Sequence, residues 1–567
     1  MMFRSASLWG TARLNLSRLL RPDVRVSDPP SRVVFDRDVP VEVRDGTTLR
    51  ANVFRPEEPG RYPVLLCVQP YGKDDMPKPR RRGGYSIPVA YHLAANDEPI
   101  SISAWTAHEA PDPAFWVPRG YVLVNADLRG WGRSDGIAET FRPLEGEDVH
   151  DVIEWAAAQA WSNGRVGMSG VSYLAITQWT GAATRPPHLA AISPWEGFCD
   201  GYNDFAYPGG IQENGFLRLW SGIQRMRRPR SNSYRKAQKQ HPLRDHWWTT
   251  RSPDVEAINV PALVCGSFSD HSLHSRGSLE GFRRISSAQK WLYTHRAPKW
   301  STYYGPEALA AQASFFDHFL RGDDTGITAT APVRIEIRES LHEVAAVVGA
   351  QQWPPTELRP VDLHLDAHNG SLVELPPADA VTATPGRHGS RFRWRFEHEA
   401  DVVGPMRLRV PVSIEQDDLT LFAGIRKMHD GREVVFEGSY GFTEDIVTRG
   451  WLRASHRQAD ETRSTFWEAF HPHTQTSPVP PGTVVDLDIT LLPSATRFAR
   501  GDELVLELRD KWFFPANPVT GQFPAVYEHS PRQRWQIHTG GGYRASLTIG
   551  IWEGQADDRD VLGTTGK

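Results

Sequence analysis

One serine stands where it could act as a nucleophile. Ser172 follows the small and apolar residues 165–171, and a run with helical character, 173–179, comes directly after it. A serine on such a strand-turn-helix elbow presents its hydroxyl at a sheet edge, beside backbone N–H groups at the start of the helix. Those groups can stabilise an oxyanion formed next to the serine. The pattern indicates attack on a carbonyl by Ser172, with Ser169 as a second candidate.

A serine nucleophile needs a base, and the base needs an acid that orients it. Asp270 follows one buried, strand-like run, and His295 follows the next. In α/β-hydrolases the acid and the histidine come after the serine in that order, on loops after later strands. The spacing therefore predicts a triad of Ser172, Asp270 and His295. His271 and His274 are alternatives for the base, although both precede the strand that leads to His295.

Strand and helix patterns alternate through the first part of the chain. The nearly continuous apolar run at 62–68 is typical of a parallel strand covered on both faces, and 145–160 has the spacing of a helix with an acidic first turn. This alternation favours a parallel sheet with right-handed crossovers. The sequence predicts an α/β-hydrolase domain in two parts, 31–194 and 256–325, with an inserted helical cap at 195–255.

Beyond residue 331 the apolar residues alternate with a period of two. The alternation is clear at 406–414 and at 485–491, and glycine-containing turns separate such runs. This pattern is typical of an antiparallel sandwich. The sequence therefore predicts a C-terminal jelly-roll β-sandwich at 332–555, and an N-terminal extension at 1–30.

Composition excludes several classes of protein. The chain has 567 residues, of which 40% are hydrophobic, and a formal net charge of −4, which argues for a globular protein without nucleic-acid or membrane partners. Three widely spaced cysteines form neither a metal-binding pattern nor a disulfide framework, which favours a reducing, cytoplasmic location. The first 22 residues are basic but lack the apolar centre of a secretory signal, so we expect a surface extension or a transit peptide. No metal or organic cofactor is expected.

Longer motifs resemble one family. The chain from about 41 to 552 is similar to the cocaine esterase and X-prolyl dipeptidyl aminopeptidase family of α/β-hydrolases, the CocE/NonD type of acyl esterase. The segments that carry this resemblance are 44–46, 127–136, 161–168, 170–174, 315–320, 450–457 and 492–498. The last two resemble parts of the family's jelly-roll domain.

The resemblance implies a catalytic cycle through an acyl-enzyme on Ser172, with Asp270 and His295 completing the triad. It also implies that Tyr71 gives its phenol, and Tyr173 its backbone N–H, to an oxyanion hole. The match around the triad is incomplete, because Phe-Ser-Asp ends at Asp270 where the family has Trp-Tyr-Asp. Likewise, Tyr-Thr-His ends at His295 in place of a Gly-Pro-Trp-Ser-His run.

The expected substrate is a small carboxylic ester with a bulky apolar or aromatic part. An amide acylase and an X-prolyl dipeptidyl peptidase are alternatives, as are an acyltransferase and a non-catalytic binding protein. A peptidase of this kind must hold a free amino terminus with carboxylates. The acidic residues that the cap offers are Glu196, Asp200, Asp204 and Glu213, and no pair of them is marked for that role. A homo-oligomer is possible.

Overall fold

The computed structural model describes residue 20 and residues 22–93, 98–228, 233–439, 444–514, 526–529, 533–554 and 561–563. The strands of the first part are β1 (Val24–Ser27), β2 (Val33–Glu42), β3 (Thr48–Pro56), β4 (Tyr62–Gln69), β5 (Lys78–Pro79), β6 (Tyr85–Ser86), β7 (Ile100–Ser103), β8 (Val122–Asp127), β9 (Ser162–Val171), β10 (Leu189–Trp195), β11 (Ala262–Ser267), β12 (Lys290–His295) and β13 (Val333–Arg338). The α-helices are α1 (Val89–Leu93), α2 (Pro113–Trp116), α3 (Glu145–Ala157), α4 (Tyr173–Ala183), α5 (Phe216–Arg227), α6 (Tyr234–Gln240), α7 (His246–Thr249), α8 (Ser275–Arg284), α9 (Lys299–Tyr303) and α10 (Pro306–Phe316).

The central sheet has the strand order β2-β3-β8-β4-β9-β10-β11-β12-β13. Strands β2 and β3 are antiparallel to their neighbours, and every neighbouring pair from β8 to β13 is parallel. All residues of β8 and β11 are buried, which explains their continuous apolar character. The carboxyl ends of β9 to β12 lie along one edge, where ligands of such sheets bind.

The cap lies between β10 and β11. In its described residues the only regular elements are helical: a π-helical turn (Gly201–Ala206), two short 3₁₀ turns and the helices α5, α6 and α7. Rings of this region stack on one another, for example those of Phe205 and Tyr234, whose centroids are 5.7 Å apart. The aromatic residues of the cap therefore form a packed layer over the sheet edge.

The rest of the chain forms a β-sandwich. Before it, β14 (Val344–Ala350) pairs antiparallel with β13 at the edge of the central sheet. The strands that follow are β15 (Leu358–Asp366), β16 (Ser371–Val373), β17 (Val381–Ala383), β18 (Ser390–Arg395), β19 (Ala400–Ile414), β20 (Thr420–His429), β21 (Arg432–Val434), β22 (Phe436–Glu437), β23 (Glu444–Asp445), β24 (Thr448–Arg453), β25 (Val484–Phe498), β26 (Glu503–Arg509), β27 (Trp535–Thr539) and β28 (Ser546–Trp552), of which β22 and β23 pair only with each other in the described residues. One sheet contains β15-β28-β19-β25, the other β18-β26-β20-β24, and all these neighbours are antiparallel. Leucine, isoleucine and valine side chains from both sheets fill the core between them.

The predicted fold class is confirmed: an α/β-hydrolase sheet with a helical cap is followed by a β-rich domain. The structure adds one connection, because β13, at the expected start of the sandwich, pairs in parallel with β12 and touches β25. Strand β13 therefore pairs with a strand of each part of the chain. No helix in the described ranges is long and apolar enough to cross a membrane.

Candidate active site

Ser172 occupies the sharp turn between β9 and α4. Its backbone has φ 59° and ψ −116°, a strained conformation for a residue with a side chain. The turn needs glycine at Gly170, where φ is 144° and an added Cβ would lie 2.6 Å from the Cβ of Leu174. The Ser172 carbonyl already accepts the Ile176 N–H at 3.0 Å, so the helix begins at once. The hydroxyl therefore stands at a helix N-terminus.

Tyr71 and Tyr173 lie on either side of this serine. Tyr71 follows β4, and its phenol interacts with the side chains of Ser172 and Trp220; burial raises the pKa of the phenol, so the proton stays on it. Tyr173 is the first residue of α4, and its phenol is engaged elsewhere, donating to Glu145 Oε2 at 2.7 Å. The phenol of Tyr71 thus contacts the Ser172 side chain, and the backbone of Tyr173 follows Ser172 directly as the first residue of α4.

The histidine at Ser172 is His274. Its Nε2 lies 3.0 Å from Ser172 Oγ, and its ring stacks on Phe198 with 5.7 Å between centroids. The residue is buried just before α8, and burial, together with the charge of Lys299, lowers its pKa well below 6.5. The imidazole is therefore neutral at pH 7 and can accept the serine proton. Its Nδ1 has no hydrogen-bond partner among the described residues.

Asp270 lies on the same loop, after β11. The carbonyl of Asp270 accepts the His274 N–H at 3.2 Å, so the chain turns back and keeps the two residues close. Carboxylate atom Oδ2 accepts a hydrogen bond from Lys299 Nζ at 2.6 Å, while Oδ1 is buried with no hydrogen-bond partner among the described residues. The Ser439 hydroxyl is close enough to lower the pKa of this carboxyl. In the described part of the chain, an acceptor on Asp270 and a ring nitrogen on His274 are thus both left unpaired, four residues apart in the sequence.

His295 is not at Ser172. It ends β12, and its Nδ1 faces the Ala297 carbonyl at 3.1 Å while its Nε2 faces Glu196 Oε1 at 3.1 Å. Both ring nitrogens thus face acceptors inside the protein, and neither is directed at Ser172. The structure thus differs from the expected pairing of Ser172 with His295, and the alternative His274 takes that place.

The remaining candidates are engaged elsewhere. Ser169 lies inside β9, buried, with its hydroxyl 3.0 Å from Tyr303 Oη and 3.2 Å from Gln312 Oε1. His271 points to the sandwich, where its Nε2 is 3.0 Å from the carbonyl of Pro493. Neither side chain is hydrogen-bonded to Ser172 in the described part of the chain.

One group of side chains has the composition of a metal site. Ligand atoms of Glu196, Cys265 and His295 lie within 4.8 Å of one another. Burial raises the pKa of the Cys265 thiol well above 9, and the ammonium of Lys299 is 3.6 Å from Glu196. A protonated thiol and a nearby ammonium do not fit a metal cation.

The elbow serine, the adjacent neutral histidine and the sheet topology define a serine hydrolase with the α/β-hydrolase fold. The family model for X-Pro dipeptidyl-peptidase of the S15 family matches residues 45–298. The model for the C-terminal non-catalytic domain of X-Pro dipeptidyl-peptidase matches residues 325–548. Both halves of the chain therefore carry domains found together in these hydrolases.

The solved structures narrow the class to a family. A CocE/NonD family hydrolase from Staphylococcus aureus is 36% identical, with a TM-score of 0.86 over 92% of this chain and 94% of that one. The chain belongs to the CocE/NonD family of hydrolases. Cocaine esterase of a Rhodococcus species is 34% identical over 188 residues, 33% of this chain. That match spans only 28% of the esterase, so the activity of the esterase does not transfer by itself.

Proposed function

We propose that this protein is a serine esterase that cleaves carboxylic esters through an acyl-enzyme on Ser172, with His274 as the base and Asp270 as the acid. The observation that carries the proposal is the 3.0 Å distance between Ser172 Oγ and His274 Nε2 at a strained elbow. A serine hydroxyl this close to a neutral imidazole is the arrangement of an activated nucleophile.

The chemistry follows from these positions. His274 Nε2 takes the hydroxyl proton as Ser172 Oγ attacks the ester carbonyl, and the phenol of Tyr71 donates to the developing oxyanion, with the Tyr173 N–H as the second donor. The imidazolium then gives its proton to the leaving alcohol. Water repeats the sequence on the acyl-enzyme and regenerates the serine.

Asp270 is the acid that best fits His274. An imidazole that accepts through Nε2 must carry its proton on Nδ1 and needs an acceptor there. The buried, unpartnered Oδ1 of Asp270 is such an acceptor, in the loop that contains His274. We propose that the two atoms pair in the substrate complex, because hydrogen bonds at catalytic sites tighten when the substrate binds.

The hydrogen bonds of the cap carboxylates favour an ester over an X-prolyl peptide as the substrate. Glu213 accepts the backbone N–H groups of residues 215, 216 and 217, so it caps α5. Asp200 likewise accepts the N–H groups of 202 and 203, and Asp204 those of 199 and 200. Glu196 is held by His295. Each acid thus has an internal role, and none is left to hold a substrate amino group.

A cavity beside Tyr71 suits a bulky substrate group. It has a volume of about 400 Å³ and is open to solvent, and its walls include Tyr71, Trp131, Arg227 and Asp75. Arg227 and Asp75 form an ion pair at 3.2 Å, so the indole of Trp131 provides the apolar surface of the cavity. We propose that the aromatic or apolar part of the ester lies here, next to the oxyanion donor.

One carboxyl keeps the amidase or peptidase alternative open. Glu109 is buried close to the elbow, since its carbonyl accepts the Val171 N–H, and its Oε2 has no hydrogen-bond partner in the described part of the chain. Burial raises its pKa to about 8, so it is mostly neutral at pH 7. A neutral carboxyl holds an ammonium group poorly, which is why the ester is the first choice.

Labelling with a fluorophosphonate tests the nucleophile. We expect the wild type and Ser169→Ala to be labelled, and Ser172→Ala to remain unlabelled and to lose about 10³-fold or more of its turnover of an activated aryl ester. A panel of aryl esters, acyl amides and X-Pro-anilides then tests the substrate class. Labelling of Ser172→Ala, or a kcat/KM for an X-Pro-anilide above every ester, would overturn the proposal.

We also propose a cytoplasmic location and a small-molecule substrate as the partner. The three cysteines are buried and none forms a disulfide, as suits a reducing compartment. Cell fractionation with an antibody to the protein tests the location, and light scattering coupled to size exclusion gives the oligomeric state, for which a homo-oligomer is the notable alternative to a monomer.

A further inference from the structure

Beneath Ser172 lies a buried cluster of charged groups that the proposed mechanism does not use. We propose that Lys299 is a positioning residue, which holds the Asp270 carboxylate in place for His274 and is itself anchored by the Glu196–His295 pair. This inference rests on the proposed function, because it concerns the acid of the same triad.

The geometry places Lys299 between two carboxylates. Its Nζ is 2.6 Å from Asp270 Oδ2 and 3.6 Å from Glu196 Oε2. Glu196 is in turn fixed by Ser267 Oγ at 2.7 Å and by His295 at 3.1 Å. The side chains of all three charged partners are nearly inaccessible to solvent. The ammonium therefore links the acid of the candidate triad to a rigid second pair.

The contact with Lys299 leaves one oxygen of Asp270 available. Lys299 occupies Oδ2, and Oδ1 is the unpartnered atom. A carboxylate anchored through one oxygen can present only the other to its histidine, so the ammonium fixes which oxygen faces Nδ1 of His274. Because the same loop carries both residues, this fixes the direction of the imidazole as well.

Lys299 supplies a positive charge to both carboxylates of the cluster, Asp270 and Glu196. The charged or titratable groups around Asp270 are Lys299, Glu196 and Glu109, with His274 on the same loop and His295 bonded to Glu196. Removing the ammonium takes away the positive charge that lies between Asp270 and Glu196.

The sign of the effect follows from burial. Burial raises the pKa of Asp270, the charge of Glu196 raises it further, and Lys299 opposes both. Loss of the ammonium would therefore raise this pKa more, so Asp270 would take up a proton at a higher pH. A protonated Asp270 no longer supports the imidazolium, so the acidic limb of the activity profile must move to higher pH.

The test compares three variants by their profiles of kcat/KM against pH with an aryl ester. Lys299→Met should lose at least about tenfold in kcat/KM at pH 7, and its acidic limb should move up by about one pH unit or more. Lys299→Arg keeps the charge and should keep the limb of the wild type. Lys299→Gln replaces Lys299→Met if that variant does not fold.

Lys427→Met is the matched control. Lys427 is also a fully buried lysine, paired with Asp502 at 3.2 Å, but it lies in the sandwich. We expect it to be less stable than the wild type, with an unchanged pH profile. A wild-type profile in Lys299→Met, or the same shift in Lys427→Met, would overturn the inference. Failure of the proposed function is separate, because it appears as fluorophosphonate labelling of Ser172→Ala.

Discussion

Two acid–histidine pairs lie at the carboxyl edge of the same parallel sheet. In the first, His274 has one ring nitrogen at Ser172, and within the described ranges its other nitrogen and one carboxylate oxygen of Asp270, on the same loop, have no partner. In the second, His295 has an acceptor at each nitrogen, one of them Glu196. The residue types are nearly the same, but the contacts give the two pairs different chemistry.

The difference shows what a histidine needs in order to act as a base. One ring nitrogen must keep a lone pair and face the hydroxyl, and the other must carry the proton. Burial keeps His274 neutral by lowering its pKa well below 6.5. His295 is also buried, but an acceptor faces each of its ring nitrogens, which makes it an internal partner for a carboxylate.

The largest expected effect comes from replacing each of the two histidines in turn by alanine. We expect His274→Ala to lose about 10³-fold or more in kcat for an aryl ester. The Tyr71 phenol also contacts Ser172, but its raised pKa keeps its own proton in place, so it cannot act as the base. His295→Ala should stay within about tenfold of wild-type kcat per folded molecule, since it acts only through Glu196. Steady-state kinetics corrected for the folded fraction, measured by circular dichroism, checks both.

If His295→Ala lost more activity than His274→Ala, the base would be His295, and the proposed difference between the two acid–histidine pairs would be wrong. His271→Ala is the control, because His271 lies on the same loop but turns to Pro493. We expect it to keep the activity of the wild type. A loss as large as that of His274→Ala would show that kinetics at this loop reports folding and not proton transfer.

The sequence was sufficient for the fold because its signals there are periodic and local. The run at 62–68 became β4, and the alternation at 406–414 falls in β19. The elbow at Ser172 was found for the same reason, since glycine and serine at fixed spacing produce a fixed turn. The added pairing of β13 with β12 was missed, because pairing depends on contacts across the two parts of the chain.

The base could not be settled by chain order. Asp270 and His295 each follow a buried strand, and this order favoured them, but order says nothing about where a ring nitrogen points. The sequence did contain two signals for His274. The motif that ends at His295 departs from the family's Gly-Pro-Trp-Ser-His motif, and His274 comes only four residues after Asp270. Glu196 and Lys299 were missed as partners because their roles arise only when β10, β12 and α9 meet.

The free energy of unfolding gives a second test of the difference between the two acid–histidine pairs. Glu196→Gln should destabilise the fold by about 3–5 kcal/mol at pH 7, because it leaves His295 and Lys299 with fewer counter-charges in a buried place. Burial raises the pKa of Glu196, but Lys299 and His295 lower it by more, so the net shift is downward. The ionised carboxylate therefore stabilises the fold above about pH 4.5. This contribution is lost as the pH falls through the pKa of Glu196 in the folded state. Chemical denaturation at pH 7 and pH 4 measures the difference.

The control for this stability test is an ion pair at the surface. Glu553 pairs with Arg359 at 2.5 Å, and about half of each side chain is exposed. Glu553→Gln should cost no more than about 1 kcal/mol. If Glu196→Gln cost no more than the control, the Glu196–His295 pair would not be the buried anchor that the comparison requires.

The smallest expected effect is in the pH profile of the wild type. The base must be neutral, and burial lowers the pKa of His274 well below 6.5, so kcat/KM should change by no more than about twofold between pH 7.5 and pH 6.5 and fall only in more acidic solution. The inflection belongs to the coupled pair of His274 and Asp270 and not to one residue alone. His295→Gln should give the same profile, because His295 is not the group that accepts the proton. An inflection at or above pH 6.5 in the wild type that disappears in His295→Gln would mean that the second pair, and not the first, acts on Ser172.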